Sequence, residues 1–268
     1  MSIASELTAL NGYILGAYDE INDKGGTVPQ NKNMANLATA IASISGGGGG
    51  GGDGITREVS AQGVYQMPAQ SFTFSLPANA TDVGARALCY AFRGCTSLTS
   101  ADLSSLTTVS GSNALQYAFG ECTSLTSVDL SSLTTVSGGN ALQYAFYGCK
   151  YLTSVDLSSL TTVSGNNSFQ DAFYECRAIT SISFTSLTDV SGNGAFNYAF
   201  YRCTSLTNLS FPALTASSFG SYTNQFSSML SGIYGCTVHF PAAIQTEVAS
   251  LSGYPGFGGS NTTVLFDL

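Results

Sequence analysis

Apolar positions in the middle of the chain follow two alternating periods. In ALQYAFGEC, Leu115, Ala118, Phe119 and Cys122 fall at i, i+3, i+4 and i+7, the spacing of one face of a short helix. In the LTSVDL that follows, Leu125, Val128 and Leu130 read L-x-x-L-x-L, and the last two alternate as in a strand. SLTTV and a VSG-x-N turn then lead into the next such helix, with Asn or Gly near its cap position. The whole unit recurs every 27 residues: Phe92, Phe119, Phe146, Phe173 and Phe200 keep the register, as do Cys95, Cys122, Cys149, Cys176 and Cys203, and Leu106, Leu133, Leu160, Leu187 and Leu214. A unit this short buries its apolar side only against its neighbours, so five copies over 87–221 predict a solenoid.

Both ends of the array depart from the repeat as terminal caps must. SFTFSLPANATDVGARALCYAF repeats the strand–helix order imperfectly, which makes 55–86 an N-terminal cap with a strand or hairpin. Over 222–268, Cys236 to Pro241 predicts a last strand, 242–251 a helix, and TTVLFDL a closing strand. Upstream, Ile3, Leu7, Leu10, Ile14, Ala17 and Ile21 are spaced 4, 3, 4, 3, 4, a heptad seam of about two and a half heptads. Lys24-Gly25-Gly26 ends that helix, and Met34, Leu37, Ala38, Ile41 and Ile44 form one face of a second. The stripe either closes on itself as a hairpin or is buried in an oligomer or on a partner, because about 50 residues make little core alone. The seven glycines Gly46 to Gly52, with Asp53 and Gly54, form a linker over 46–54 and not a phosphate loop, since no βαβ unit surrounds them.

L-x-x-L-x-L plus a helix every 20–29 residues is the leucine-rich-repeat pattern. The form AF-x-x-C-x-SL-x-x-x-x-L closely resembles the surface-antigen (BspA-like) leucine-rich repeats over 87–221. The expected fold is therefore an α/β repeat solenoid: a leucine-rich-repeat array of five 27-residue units plus caps, after a small helical N-terminal segment. Residues 1–45, with the KGGTVP turn and the NLATAI stretch, resemble the short helical attachment segments of bacteriophage tail and virion proteins. In such proteins a repeat domain behind a glycine linker is usually a fibre or receptor-binding tip. The resemblance implies an attachment end joined to a presenting end.

Composition narrows the chemistry. Only 9% of the 268 residues are charged, with eight Lys and Arg against 16 Asp and Glu and a net charge of −8. Ser, Thr, Asn and Gly must build the polar surface. Scattered basic residues argue against nucleic acid and anionic membranes as partners. No apolar run reaches the ~18–20 residues of a membrane span, so no membrane insertion is expected. MSIASELTAL has no basic region leading into an apolar one, so no secretory signal is read. Five of the seven cysteines keep the 27-residue period, which marks one repeated position. Free, buried thiols are expected, not disulfides or a zinc site.

The search for a catalytic centre finds little material. His239 is the only histidine and alternates with Val238 and Phe240, which predicts a surface position at the C-terminal cap. Two outward rows do stand out. Asp102, Asp129 and Asp156 are each the x of L-x-L and should stack into an acidic ladder, with adjacent charges repelling by roughly 0.8 kcal/mol at ~5 Å in water. The ladder is either a solvated stripe or a cation or polar-receptor site. Aromatic rows run through Tyr90, Tyr117, Tyr144 and Tyr198, broken by Asp171, and through Tyr147, Tyr174 and Tyr201. These rings either cover one another between coils or offer a platform for glycans or protein surfaces.

The function expected from these readings and the two resemblances is a non-enzymatic phage virion protein of tail-fibre or receptor-binding type. It would be made in the host cytoplasm, carried on the particle surface, and need no cofactor, metal or catalytic residue. Its expected partners are itself as a homo-oligomer such as a trimer, other virion proteins through the N-terminal segment, and a host cell-surface glycan or protein. The alternative is a structural virion component, a capsid-decorating fibre or baseplate part, whose repeats contact other virion proteins.

Overall fold

A computed structural model of the chain describes residues 72–76 and 80–268. The heptad stripe, the second amphipathic face and the glycine linker lie outside the described residues.

One strand per coil stacks along the solenoid axis. The strands are β1 (Phe72–Ser75), β2 (Leu98–Asp102), β4 (Ser127–Asp129), β6 (Ser154–Asp156), β8 (Ser181–Ser183), β9 (Asn208–Ser210), β10 (Thr237–Phe240) and β11 (Thr263–Phe266). All pairings are parallel, and successive coils align residues 27 apart: Val128 pairs with Ala101 and with Val155. A second, narrower ladder follows the SLTTV stretch through β3 (Thr108–Val109), β5 (Thr135–Val136) and β7 (Thr162–Val163). Since β1 runs parallel to β2, the N-terminal cap strand enters as a coil and forms no hairpin with it.

The segment expected to be helical is a run of turns. Its predicted inward residues, Leu115, Ala118, Phe119 and Cys122, are all fully buried, but the backbone differs. The N–H groups of Leu115, Tyr117, Phe119 and Glu121 donate sideways to carbonyls of the next coil, and those of Gln116, Ala118 and Gly120 donate three residues back. Asn113, Tyr117 and Glu121 have φ of 57°, 54° and 62°, every fourth residue being left-handed. Nine residues are too few to propagate a helix on their own. The lateral bonds give alternate donors a partner on the neighbouring coil instead.

Inside, identical side chains stack. The rings of Phe92, Phe119, Phe146, Phe173 and Phe200 follow one another at centroid spacings of 5.4, 5.6, 5.3 and 5.4 Å. Each buried ring contributes about 1.5–3 kcal/mol from burial. The cysteine row lies beside them with all seven thiols free. Cys122, Cys149, Cys176 and Cys203 donate Sγ–H to the carbonyls of Phe92, Phe119, Phe146 and Phe173 at 3.0–3.1 Å, tying each coil to the preceding one. Desolvation raises these thiols, Cys149 to about 12 and Cys95 to about 11. In the VSG turn the coils touch backbone to backbone: a Cβ on Gly165 would lie 2.2 Å from the Gly138 carbonyl oxygen.

The core changes character at the fourth coil. Leu142 and Leu157 give way, 27 residues on, to Phe169 and Phe184. Phe196 and Phe211 continue those rows, Phe184 stacking on Phe211 at 5.1 Å. The strand-face sheet divides at the same place, into β1-β2-β4-β6 and β8-β9-β10-β11. At the C-terminal end a 3-10 turn over Ala242–Ile244 runs into α1 (Gln245–Ala249), which buries Ile244 and Val248, and β11 closes the array beside β10. Among the described residues no helix is long and apolar enough to cross a membrane.

Candidate functional site

The tyrosine rows are brought together as the period predicts. Tyr90, Tyr117 and Tyr144 stack at 4.9 and 4.5 Å; Tyr174 stacks on Tyr201 at 4.6 Å and meets Tyr147 at 5.0 Å with the rings tilted by 39°. The rows also meet edge-on, Tyr144 lying 6.1 Å from Tyr147. Arg93 lies over Tyr117 at 5.1 Å and Arg202 over Tyr201 at 5.2 Å. Ring faces are therefore spent mostly on each other, leaving edges and hydroxyls at the surface. Asp171 interrupts the first row, buried, with its carboxyl raised by desolvation although the Tyr144 hydroxyl and the Gln170 amide hydrogen-bond to it. Tyr198, beyond it, is exposed.

The acidic row occupies the strand face. Asp102, Asp129 and Asp156 are exposed and in register on β2, β4 and β6. Each closes a turn after its strand, accepting the N–H of Ser104, Ser131 and Ser158 at 2.9–3.0 Å. Hydrogen bonds from Ser104, side chain first and then backbone, hold the Asp102 carboxyl below its ordinary range, and those from Ser158 do the same for Asp156. Each aspartate thus has a local task in folding besides its charge. Among the described residues no group of three or more His, Cys, Asp or Glu is placed to hold a metal ion. His239 lies at the C-terminal edge of this face, its Nδ1 2.9 Å from Asp267 and its Nε2 3.2 Å from the Asn208 amide.

Beside the aspartates lies a groove of about 810 Å³. Ser100, Ser127, Ser154 and Ser181 line it along one row, the three aspartates along another, and Val155 and Ile182 form its apolar floor. Val155 is half-exposed, whereas Val128 and Ala101 at the same position are 3% and 2% exposed. The difference arises at the division of the sheet. Thr126, Thr153, Thr207 and Thr237 each donate their N–H to the Thr of the preceding coil, but Thr180 has no such bond to Thr153. The hydroxyl bonds skip the same step: Thr126 Oγ1 reaches Thr99 O, Thr153 Oγ1 reaches Thr126 O and Thr207 Oγ1 reaches Thr180 O. Most Cα atoms of β6 and β8 lie more than 8 Å apart, against the ~4.8 Å of a ladder. The division coincides with the change from Leu142 and Leu157 to Phe169 and Phe184 in the core.

A family model described as BspA type leucine rich repeat region matches six copies over residues 72–198 and 117–238. The chain belongs to that family. Its BspA-type repeats extend past the five units evident in the sequence, into both caps. Two solved structures are similar over 72% of the chain. One is a leucine-rich cell surface protein from Faecalibacterium prausnitzii A2-165, with 14% identity and a TM-score of 0.21, of which 59% is covered, so the chain spans under two thirds of that protein. The other is a leucine-rich repeat protein from Bacteroides ovatus ATCC 8483, with 16% identity, a TM-score of 0.22 and 69% covered. No curated protein matches the sequence.

Stacked Thr, Ser and Asp on the strand face are expected from the sequence; the half-exposed Val155 is the part of this BspA-type surface that the sequence reading missed. The available signal was the change from SVDL in the third unit to SISF in the fourth, where an aspartate is lost and a phenylalanine gained one residue apart.

Proposed function

We propose that the protein is a non-enzymatic binding module whose repeat array presents the strand-face groove to a partner. The groove itself carries the reading: an open, polar concavity with hydroxyls, carboxylates and a half-exposed valine, assembled from four consecutive coils. Such a surface suits a neutral glycan or a protein segment, with hydroxyl and amide hydrogen bonds supplying most of the contact. With eight basic residues in the chain, steering of an anionic receptor is weak.

Display on a phage particle, with host attachment as the biological role and an oligomer formed through Ile3 to Ile21, is the finer reading. Its support is the resemblance of residues 1–45 to virion attachment segments, which lie outside the described residues. The test is binding of the purified chain to immobilised cell-envelope fractions by biolayer interferometry, at about 0.05 and 0.5 M salt. Replacing Asp129 and Asp156 together by Ala should weaken binding severalfold, and raising salt should weaken it by no more than that. Loss of binding only when Tyr147, Tyr174 and Tyr201 are replaced by Ser would move the site to the tyrosine edge.

A further inference from the structure

The break between β6 and β8 leaves main-chain groups without partners in the middle of an otherwise continuous ladder. No ladder joins β6 to β8, and the Thr180 N–H lacks the bond to Thr153 that Thr126, Thr153 and Thr207 make to the preceding coil. The Leu76, Leu103, Phe184 and Phe211 N–H groups reach the next coil's carbonyls at 2.9–3.0 Å, whereas those of Leu130 and Leu157 do not. The opening is bounded. At one end Thr185 Oγ1 donates to the Ser158 carbonyl at 2.9 Å, and Thr188 N–H to the Thr161 carbonyl at 2.9 Å. At the other, Cys176 Sγ–H bonds the Phe146 carbonyl and Gly148 N–H bonds the Tyr174 carbonyl at 2.7 Å. Between these clamps, Thr153–Leu157 and Thr180–Phe184 face each other over about 16 Å at the ~3.3 Å rise of a strand.

We propose that this cleft receives an extended segment of a partner polypeptide, bound as an added strand and preferring alternate small apolar and basic side chains. The inference rests on the groove being the recognition surface and names what occupies it. The unmet groups are amides and carbonyls at the spacing of an extended backbone, which another backbone matches and a sugar does not. Aromatic rings, the usual platform for sugar faces, lie in the tyrosine rows, away from the groove. Inward side chains of the added strand meet Val155 and Ile182. Outward ones meet Asp129 and Asp156, whose carboxylates pair with Lys or Arg. Phe184 is the residue that holds the cleft open, since every earlier coil has Leu there and an unbroken or nearly unbroken ladder.

The test uses the full chain and a capped Val-Lys-Val-Lys-Val peptide, followed by calorimetry and fluorescence polarisation. The wild type should bind it, and Phe184→Leu should weaken binding at least tenfold in a chain that keeps the wild-type circular dichroism spectrum. Ser154→Arg, which crowds the cleft from an exposed lining position, should weaken it equally, so a folding defect in one variant does not decide the matter. N-methylation of alternate peptide amides should abolish binding, and Asp156→Asn should weaken it about threefold. Equal affinity for wild type and both cleft variants, or full binding of the N-methylated peptide, would overturn the proposal. Binding of maltohexaose in the groove without any binding of the peptide would overturn it too, while leaving the groove-binding function intact.

Discussion

Asp171→Tyr restores the residue that the three preceding coils and the following one carry at this position. The backbone already suits it: φ is 53° at Asp171, 56° at Tyr144 and 53° at Tyr198. A ring there would continue the 4.9 and 4.5 Å stack of Tyr90, Tyr117 and Tyr144 toward Tyr198. Two new ring pairs contribute about 0.5–1.5 kcal/mol each, and half-burial of the ring about 1 kcal/mol more. Tyrosine tolerates the left-handed region less well than aspartate, which costs about 1 kcal/mol. The hydrogen bonds to Asp171 need no separate deduction, because its carboxyl is raised by desolvation despite them: the ionised group is held at a net cost. The balance is a stabilisation of about 2 kcal/mol, or about 4–8 °C in melting temperature for an array of this size. The sign of the pH dependence follows from the same shift. A carboxyl raised in the folded state contributes stability below its unfolded pKa of ~3.9 and loses it as pH rises through the higher folded value. The gain from the substitution should therefore be larger at pH 7 than at pH 4. Circular dichroism melts at the two pH values read both quantities. A melting temperature at pH 7 equal to or below that of the wild type would refute the reasoning.

Two further outcomes follow from the coil-to-coil contacts. At pH 8 the buried thiols should not react with Ellman's reagent until denaturant is added, since burial raises Cys95 and Cys236 to about 11 and Cys149 to about 12. Rapid titration of more than the half-buried Cys89 in native protein would contradict the packed row. Gly165→Ala should destabilise by about 1–3 kcal/mol in urea melts, because its methyl meets a backbone carbonyl that cannot rotate aside. Neutral behaviour would show that the VSG turn is looser than described.

Much of the fold was legible in the residues because burial in a solenoid repeats with the unit. The positions assigned inward in the second repeat are buried in the structure, and the strands fall on L-x-x-L-x-L. The turn-for-helix substitution was not legible from spacing, since residues at i, i+3, i+4 and i+7 also point inward in a run of turns bonded sideways. Asn113, Asn140 and Asn167, at φ of 57°, 55° and 54°, are the residues that favour left-handed backbone and could have signalled it. Tyr117 and Tyr144 adopt the same backbone without any such preference, and only their neighbours' rings and lateral bonds account for them. The outward tyrosines and aspartates were found as rows by period alone. Whether rings face solvent or each other depends on the coil spacing, which leaves no room between stacked faces. The cleft was hidden because its cause, Phe184 following Leu157, alters one coil's core while its effect appears on the opposite side of the backbone.

If recognition sits at the break between β6 and β8, hydrogen–deuterium exchange of the unliganded chain should find that break directly. The Leu157 and Thr180 amides should exchange orders of magnitude faster than Leu103, Thr126 and Thr207, which are bonded at equivalent positions. Phe184→Leu should slow the first pair toward the second. Uniform protection of all five amides in the wild type would contradict a cleft between the third and fourth coils, and the groove-centred reading of function with it.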